Sequence, residues 1–175
     1  MTDGLVMPPG AGRVLSGAGM TLKVGAGQST VWSAFEAVVT PGFDVGAHLH
    51  RGAEELFYIL DGELDLLAFE PRARSTGDWQ SWQSAAGARV MRGGPGSAMF
   101  VPAGCPHAFA NPGTVPARML FLVSPPGHEH YLEEIGKQVG QGGPPNPEVI
   151  AEIRARHDIQ QLTPMKGGRP RDVPA

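Results

Sequence analysis

The sequence predicts an all-β domain, with strands folded into a closed or sandwiched antiparallel sheet and followed by a short helical C-terminal segment. Three observations carry this expectation. The 25 glycines and 17 prolines among 175 residues punctuate the chain too often for long helices. Between them lie runs of about five to eight residues, several alternating apolar and polar as half-buried strands do. Helical spacing appears only past Pro125-Pro126. Hydrophobic residues make up 41% of the chain, enough for a core. A single domain of this length is expected to bury about 70% of its unfolded surface.

In chain order, residues 1–19 are rich in Gly, Pro and Ala and read as a loose arm with one edge strand at Arg13-Val14-Leu15. Residues 20–125 hold the sheet, and residues 126–175 a helical extension and tail. Met20 to Val24 and Val31 to Thr40 read as strands separated by the turn-forming Gly25-Ala26-Gly27-Gln28. In the second, Val31, Ser33, Phe35, Ala37 and Val39 share one face, and Trp32, Ala34, Glu36 and Val38 the other. Both faces are largely apolar, as where sheets pack on sheets or on a partner subunit. Glu54 to Leu60 is the next strand. Asp61-Gly62 signals a two-residue hairpin because both positions favour positive φ, with Glu63 to Phe69 as the return strand.

Residues 71–89 form a long insertion. Its Trp79 and Trp82 are expected to cap the mouth of the sheet or pack a dimer contact, with an exposed loop anchored by one tryptophan as the plainer alternative. Gly93 to Gly96, Pro102-Ala103-Gly104 and Asn111-Pro112-Gly113 are turns, and Ala117 to Val123 is a further strand. Tyr131 to Lys137 reads as a short helix, followed by a Gly/Pro-rich link at 140–147. Asn146 is then an N-cap, Pro147 a first helical residue and Glu148 a favourable first-turn charge. Val149, Ile150 and Ile153 make the stripe that packs this helix on the outside of the sheet, running on to Ala155 and His157. At the helix end, an imidazolium of His157 complements the dipole.

The chemistry concentrates between Gly42 and Gly62, which include His48, His50, Glu54 and Glu55. Side chains two apart on a strand share a face, a little under about 7 Å apart, so both imidazoles reach one ion. Arg51-Gly52-Ala53 turns the chain so that a carboxylate on the next strand reaches the same centre. A third imidazole, His107, follows the Pro102-Ala103-Gly104 turn. Three histidines and a glutamate suit one divalent first-row transition ion: iron, manganese, nickel, cobalt, copper or zinc.

These residues resemble the two motifs of the cupin superfamily. Gly42, His48, His50, Glu55 and Gly62 meet every spacing of the first motif, and Gly96, Pro102, Gly104, His107 and Asn111 those of the second. The resemblance implies a jelly-roll β-barrel, here a single one because no internal repeat is visible, with His48, His50, Glu55 and His107 as metal ligands and a homodimer as the assembly. Glu55 is chosen over Glu54 because it lies in register with Gly62 and shares a strand face with Phe57 and Ile59. Glu55 is also expected to be catalytic, taking a proton as well as holding the ion.

Phe57, Met99, Phe109 and Phe121 are candidates for the wall of an apolar substrate pocket. Asn111 and Gly62 read as structural. Cys105 shares strand parity with His107 and reads as a small buried residue rather than a reactive thiol. His128 and His130 repeat the His-x-His spacing without a carboxylate in register and read as a surface or rim feature.

Over residues 20–160 the chain looks most similar to small single-barrel proteins of the quercetinase-like group. That similarity implies a dioxygenase-type oxidoreductase acting on a small phenolic or enol-containing molecule. The alternatives are a non-redox metal-dependent isomerase or cyclase, and a non-catalytic small-molecule-binding cupin.

A formal charge of −3 and a pI near 6.0 give no reason to expect nucleic acid as a partner. The tail cluster Lys166, Arg169 and Arg171 reads as solvated. No window reaches the apolar length of a membrane span. The N-terminal residues lack a secretory pattern, and the single cysteine fits a reducing compartment, so a cytoplasmic location is expected.

Overall fold

The computed structural model describes residues 3–75, 77–139 and 146–167. The link at 140–145 and the tail residues Arg169 and Arg171 lie outside the described residues. Among the described residues there are eleven strands and two α-helices, in the order β1 (Arg13–Leu15), β2 (Met20–Val24), β3 (Ser33–Val39), β4 (His48–Leu49), β5 (Glu54–Asp61), β6 (Leu64–Ala68), β7 (Met91–Gly93), β8 (Ala98–Val101), β9 (His107–Ala110), β10 (Ala117–Ser124), α1 (His128–Val139), α2 (Pro147–Arg156) and β11 (Gln160–Gln161).

Two antiparallel sheets face each other as a jelly roll. One runs β1-β2-β3-β10-β5-β8 and the other β11-β4-β9-β6-β7. The sheets do not close on each other, and the space between them is the core. Strand parity decides what enters it. On β5, Glu55, Phe57 and Ile59 are buried while Glu54, Leu56, Tyr58 and Leu60 are exposed. β10 sends in Met119, Phe121 and Val123, and β3 sends in Phe35, Ala37 and Val39. At about 1.5–3 kcal/mol for each large apolar side chain fully buried, this layer is the main drive to fold.

Asp61-Gly62 is not a hairpin turn. β5 and β6 belong to different sheets and do not pair, and of the two residues only Gly62 has positive φ, at 73°. The chain crosses here from one sheet to the other. A Cβ on Gly62 would lie 2.8 Å from the Ala117 Cα, so close approach of backbone explains the glycine.

The 71–89 insertion neither caps the barrel mouth nor hangs as an exposed loop. It folds over the outer face of the second sheet. A short 3-10 turn at Trp79–Ser81 drops Trp79 and Trp82 onto Ala47, Leu67, Ala108 and Ala110, a second apolar cluster. Trp79 donates its Nε1–H to Asp44 at 2.8 Å, and the same buried carboxylate accepts from the Gly46 N–H and the Gln80 amide. The second sheet is therefore covered on both faces.

Helix α1 begins at His128, three residues earlier than its periodicity predicts, and runs to Val139. α2 starts as expected, with the Asn146 side chain accepting from the Glu148 N–H at 2.9 Å and Pro147 in the first turn. Its Ile153 joins the core. Among the described residues, no helix is long and apolar enough to cross a membrane.

Candidate metal centre

Four side chains meet at one end of the space between the sheets. The short strand β4 carries His48 and, one step past its end, His50. β9 pairs with β4 in the register His48↔His107, which brings the third imidazole alongside. After the turn at 51–53 the chain changes sheets, and Glu55 on β5 faces the three rings from the opposite side. Ring centroids are 4.2 Å apart for His48–His107, 5.3 Å for His48–His50 and 5.4 Å for His50–His107. One nitrogen from each ring lies within 4.8 Å of the others.

Each imidazole is fixed by a backbone carbonyl. Nδ1–H of His48 donates to Gly46 O at 2.9 Å, that of His50 to Asp158 O at 3.1 Å, and that of His107 to Cys105 O at 3.1 Å. A carbonyl only accepts, so its position assigns the proton to Nδ1 and turns the Nε2 lone pair inward. This is the tautomer and support that metal-ligating histidines use.

Glu55 Oε2 approaches His107 Nε2 at 2.7 Å, and Oε1 approaches His50 Nε2 at 3.2 Å. Even so, His50 Nε2, His107 Nε2 and Glu55 Oε2 are buried without a hydrogen-bond partner, since with the proton on Nδ1 each Nε2 meets the carboxylate as a second acceptor. Buried polar atoms left in this state are costly unless another group satisfies them. A cation at their point of convergence would do so, and three neutral imidazoles with one carboxylate form a donor set that first-row divalent ions take.

The four groups are also coupled electrostatically. Burial, and after it the neighbouring His107 and His50, hold His48 well below the ordinary imidazole range, so it is neutral. Burial would push the Glu55 carboxyl up, but the facing His107 and His50 outweigh it and hold it well below the usual carboxylate range. Burial likewise lowers His50, and the Glu55 carboxylate reverses that, leaving it raised.

The family model for cupins matches residues 16–137. The chain belongs to the cupin family. With the three-histidine cluster, membership points to one divalent metal site. Among solved structures, the chain is similar to TT1209 from Thermus thermophilus, with 25% identity, a TM-score of 0.44, and 61% of this chain and 83% of that one covered. It is similar to a protein with a double-stranded beta-helix domain from Klebsiella pneumoniae subsp. pneumoniae, at 14% identity and a TM-score of 0.46, covering 70% and 84%. It is also similar to the DMSP lyase DddQ from Ruegeria pomeroyi, at 27% identity and a TM-score of 0.44, covering 60% and 45%. No curated protein matches the sequence.

A cavity of about 170 Å³ opens onto His48 and Glu55. Its wall is largely apolar and includes Phe43, Val45, Phe109, Phe121 and Ile159. Of the four residues expected on it, Phe109 and Phe121 are there and Phe57 and Met99 are not. Phe57 lies one layer deeper, stacked on Phe121 at 4.7 Å, and Met99 pairs opposite Phe57 on β8. Strand parity predicts that a side chain points inward, but not how far along the barrel it sits.

Three further findings correct or extend the sequence reading. His128 is not a surface feature. It is half-buried and lines the cavity from the first turn of α1, with its ring 5.8 Å from that of His50. Burial pulls its imidazole down to about 4, so it is neutral at ordinary pH. His130, two residues on, has a side chain 63% exposed.

Asp158 had no sequence signal. It sits just past α2 at a left-handed φ of 55°, and its carbonyl orients His50 while its carboxylate accepts from the Gly52 N–H at 2.8 Å. Residues 158–166 thus strap the centre from outside the family match, with Thr163 accepting from the Ala47 N–H and β11 pairing with β4. The Cys105 thiol is half-buried, does not line the cavity, and is raised by burial and then by Glu70, which disfavours the thiolate. Asn111 holds the turn it was expected to hold, donating to Val39 O and Val115 O and accepting from the Gly113 N–H.

Proposed function

We propose that this cupin is a metal-dependent, dioxygenase-type oxidoreductase acting on a single-ring phenolic or an enol of similar size. The observation that supports this reading is the apolar cavity of about 170 Å³ ending on His48 and Glu55. An apolar cavity of about 150 Å³ holds one benzene ring, so this volume suits a single ring at the metal end. When bound, the ion supplies a Lewis-acidic position for a substrate oxygen and, if redox-active, exchanges electrons with dioxygen.

The chain's own residues do the rest. His48, His50 and His107 would hold the ion as neutral ligands, their orientation fixed by the carbonyls of Gly46, Asp158 and Cys105. Glu55, held ionised, would accept the proton of a substrate hydroxyl on its carboxylate. Phe109, Phe121 and Ile159 place the ring and exclude water from the reacting end.

A non-redox metal-dependent isomerase or cyclase is the second reading. It is favoured by His128 and Tyr131, which put two proton-bearing groups on the cavity wall, the His128 ring 5.8 Å from that of His50. One experiment separates the two. The protein is loaded in turn with iron(II), manganese(II), nickel(II), cobalt(II), copper(II) and zinc(II), and oxygen uptake is followed with catechols and cyclic enols. Uptake coupled to substrate loss with a redox-active ion is the expected result. Conversion without oxygen, strongest with zinc, supports the isomerase or cyclase. Binding without conversion under any of these conditions makes the chain a binding cupin.

A further inference from the structure

The inner stripe of α1 is His128, Tyr131, Leu132 and Ile135, at the i, i+3, i+4, i+7 spacing that puts side chains on one helix face, and all four line the cavity. The two polar members interrupt a largely apolar wall facing the metal end. Gln161, another polar side chain there, commits its amide to the carbonyls of Val45, Ala47 and Thr163. His128 has no such commitment. Among the described residues, neither ring nitrogen meets a hydrogen-bond partner, although the ring itself is held. Phe121 lies edge-on to it at 5.5 Å and 89°, Phe35 at 6.2 Å and 78°, and Tyr131 packs at 5.3 Å. The ring plane is set by these contacts, and its nitrogens are left for whatever enters the cavity. A neutral imidazole offers one donor and one acceptor.

We propose that His128 is a specificity-determining residue that selects ligands bearing two adjacent oxygens, one toward the metal centre and the second hydrogen-bonded to the His128 ring. This rests on the phenolic or enol reading and narrows it to the catechol and enediol class. The geometry that supports it is the short span between the two polar ends. The His128 ring centre is 5.8 Å from that of His50, so a one-ring molecule seated against Phe121 meets both. A ligand with a single oxygen dehydrates His128 without replacing its water, and a hydrogen-bonding site discriminates against a ligand that lacks the matching group. The role needs only hydrogen bonding, with no change of protonation.

The test is binding without turnover. Zinc-loaded protein under argon is titrated calorimetrically with catechol and with phenol, and the ratio of the two affinities is compared between wild type and variants. In His128→Phe, which keeps the aromatic packing, the catechol preference is expected to fall about tenfold. Zinc content and melting temperature are expected to stay at wild-type values. His128→Gln, which keeps a donor and an acceptor, is expected to restore part of the preference.

An unchanged ratio in zinc-replete His128→Phe overturns the proposal, because the preference then comes from the ion alone. A zinc-replete variant that binds neither ligand also overturns it, making His128 a packing residue. If His128→Phe does not fold, His128→Met is read by the same criterion. Wild-type protein that binds neither probe removes the substrate class itself and the proposal with it. A failure to consume oxygen bears only on the reaction and leaves the ratio to decide.

Discussion

His48-Leu49-His50 and His128-Glu129-His130 share a spacing, but the first lies on extended chain and the second opens a helix. On extended backbone, residues i and i+2 share a face, and His48 and His50 both turn into the core, 9% and 3% exposed. On a helix the same two positions lie about 200° apart. His128 therefore faces the cavity while His130 faces solvent. Between them Glu129 is buried against the sheet, accepting from the Ser33 hydroxyl and the Ala26 N–H at 2.7 Å each. A tripeptide acquires chemistry from the period of the element that carries it. The first copy converges on a point, whereas the second divides its imidazoles between a cavity wall and the surface.

The largest expected effect comes from breaking the convergent copy. His50→Ala or His107→Ala removes one of the three imidazoles that converge on the centre. Divalent-metal affinity, read by competition with a chelating dye, is expected to fall by more than about 100-fold, beyond the range seen when only a supporting group is lost. Neither His128→Phe nor His130→Phe is expected to move that affinity by more than about threefold.

The next effect belongs to the inward half of the helical copy, in metal-free protein. The folded-state value of His128 is about 4, below the unfolded value of about 6.5. Between those limits the unfolded chain binds a proton that the folded chain refuses, so stability falls as pH drops from 7 to 4. Over that window His128 accounts for about 3 kcal/mol. Urea unfolding at both pH values is expected to show His128→Phe losing that much less stability on acidification than wild type does.

A smaller effect tests the strap behind His50. Asp158 adopts a left-handed φ that glycine accepts and a β-branched residue resists. Asp158→Val is expected to displace the carbonyl that orients His50 and to lower metal affinity about tenfold. Asp158→Gly keeps the carbonyl in place and is expected to stay within about threefold. Equal losses in the two variants would show that the side chain, not the carbonyl, supports the centre. The smallest effect is the outward histidine: His130→Phe is expected to change unfolding free energy by less than about 0.5 kcal/mol, as for surface sites generally.

The site was legible where local periodicity fixes direction. His48 and His50 share a strand face, and the parity of β5 chose Glu55 over the exposed Glu54. The Asn146 cap marked the start of α2 because its partner is two residues away. What was not legible depends on distant chain. Asp61-Gly62 has the composition of a hairpin, but the pairing of β5 with β10 and β8 overrides it. Trp79 and Trp82 looked like mouth or interface residues because nothing local says that Ala47, Ala108 and Ala110 leave a shallow apolar face for them. His128 was misread because the helix was expected to begin three residues later, at Tyr131, and a histidine outside the helix has no assigned face. Asp158 acts through a backbone carbonyl, a group every residue has, so its identity carried no signal.

The most direct test of the convergent centre is the metal content of gel-filtered protein after exposure to excess cobalt(II), measured on wild type, His50→Ala and His128→Phe. One ion per chain in wild type and His128→Phe, and none in His50→Ala, is the predicted result. No ion in wild type, or an ion retained in His50→Ala, would contradict the assignment of His48, His50, Glu55 and His107 to one metal.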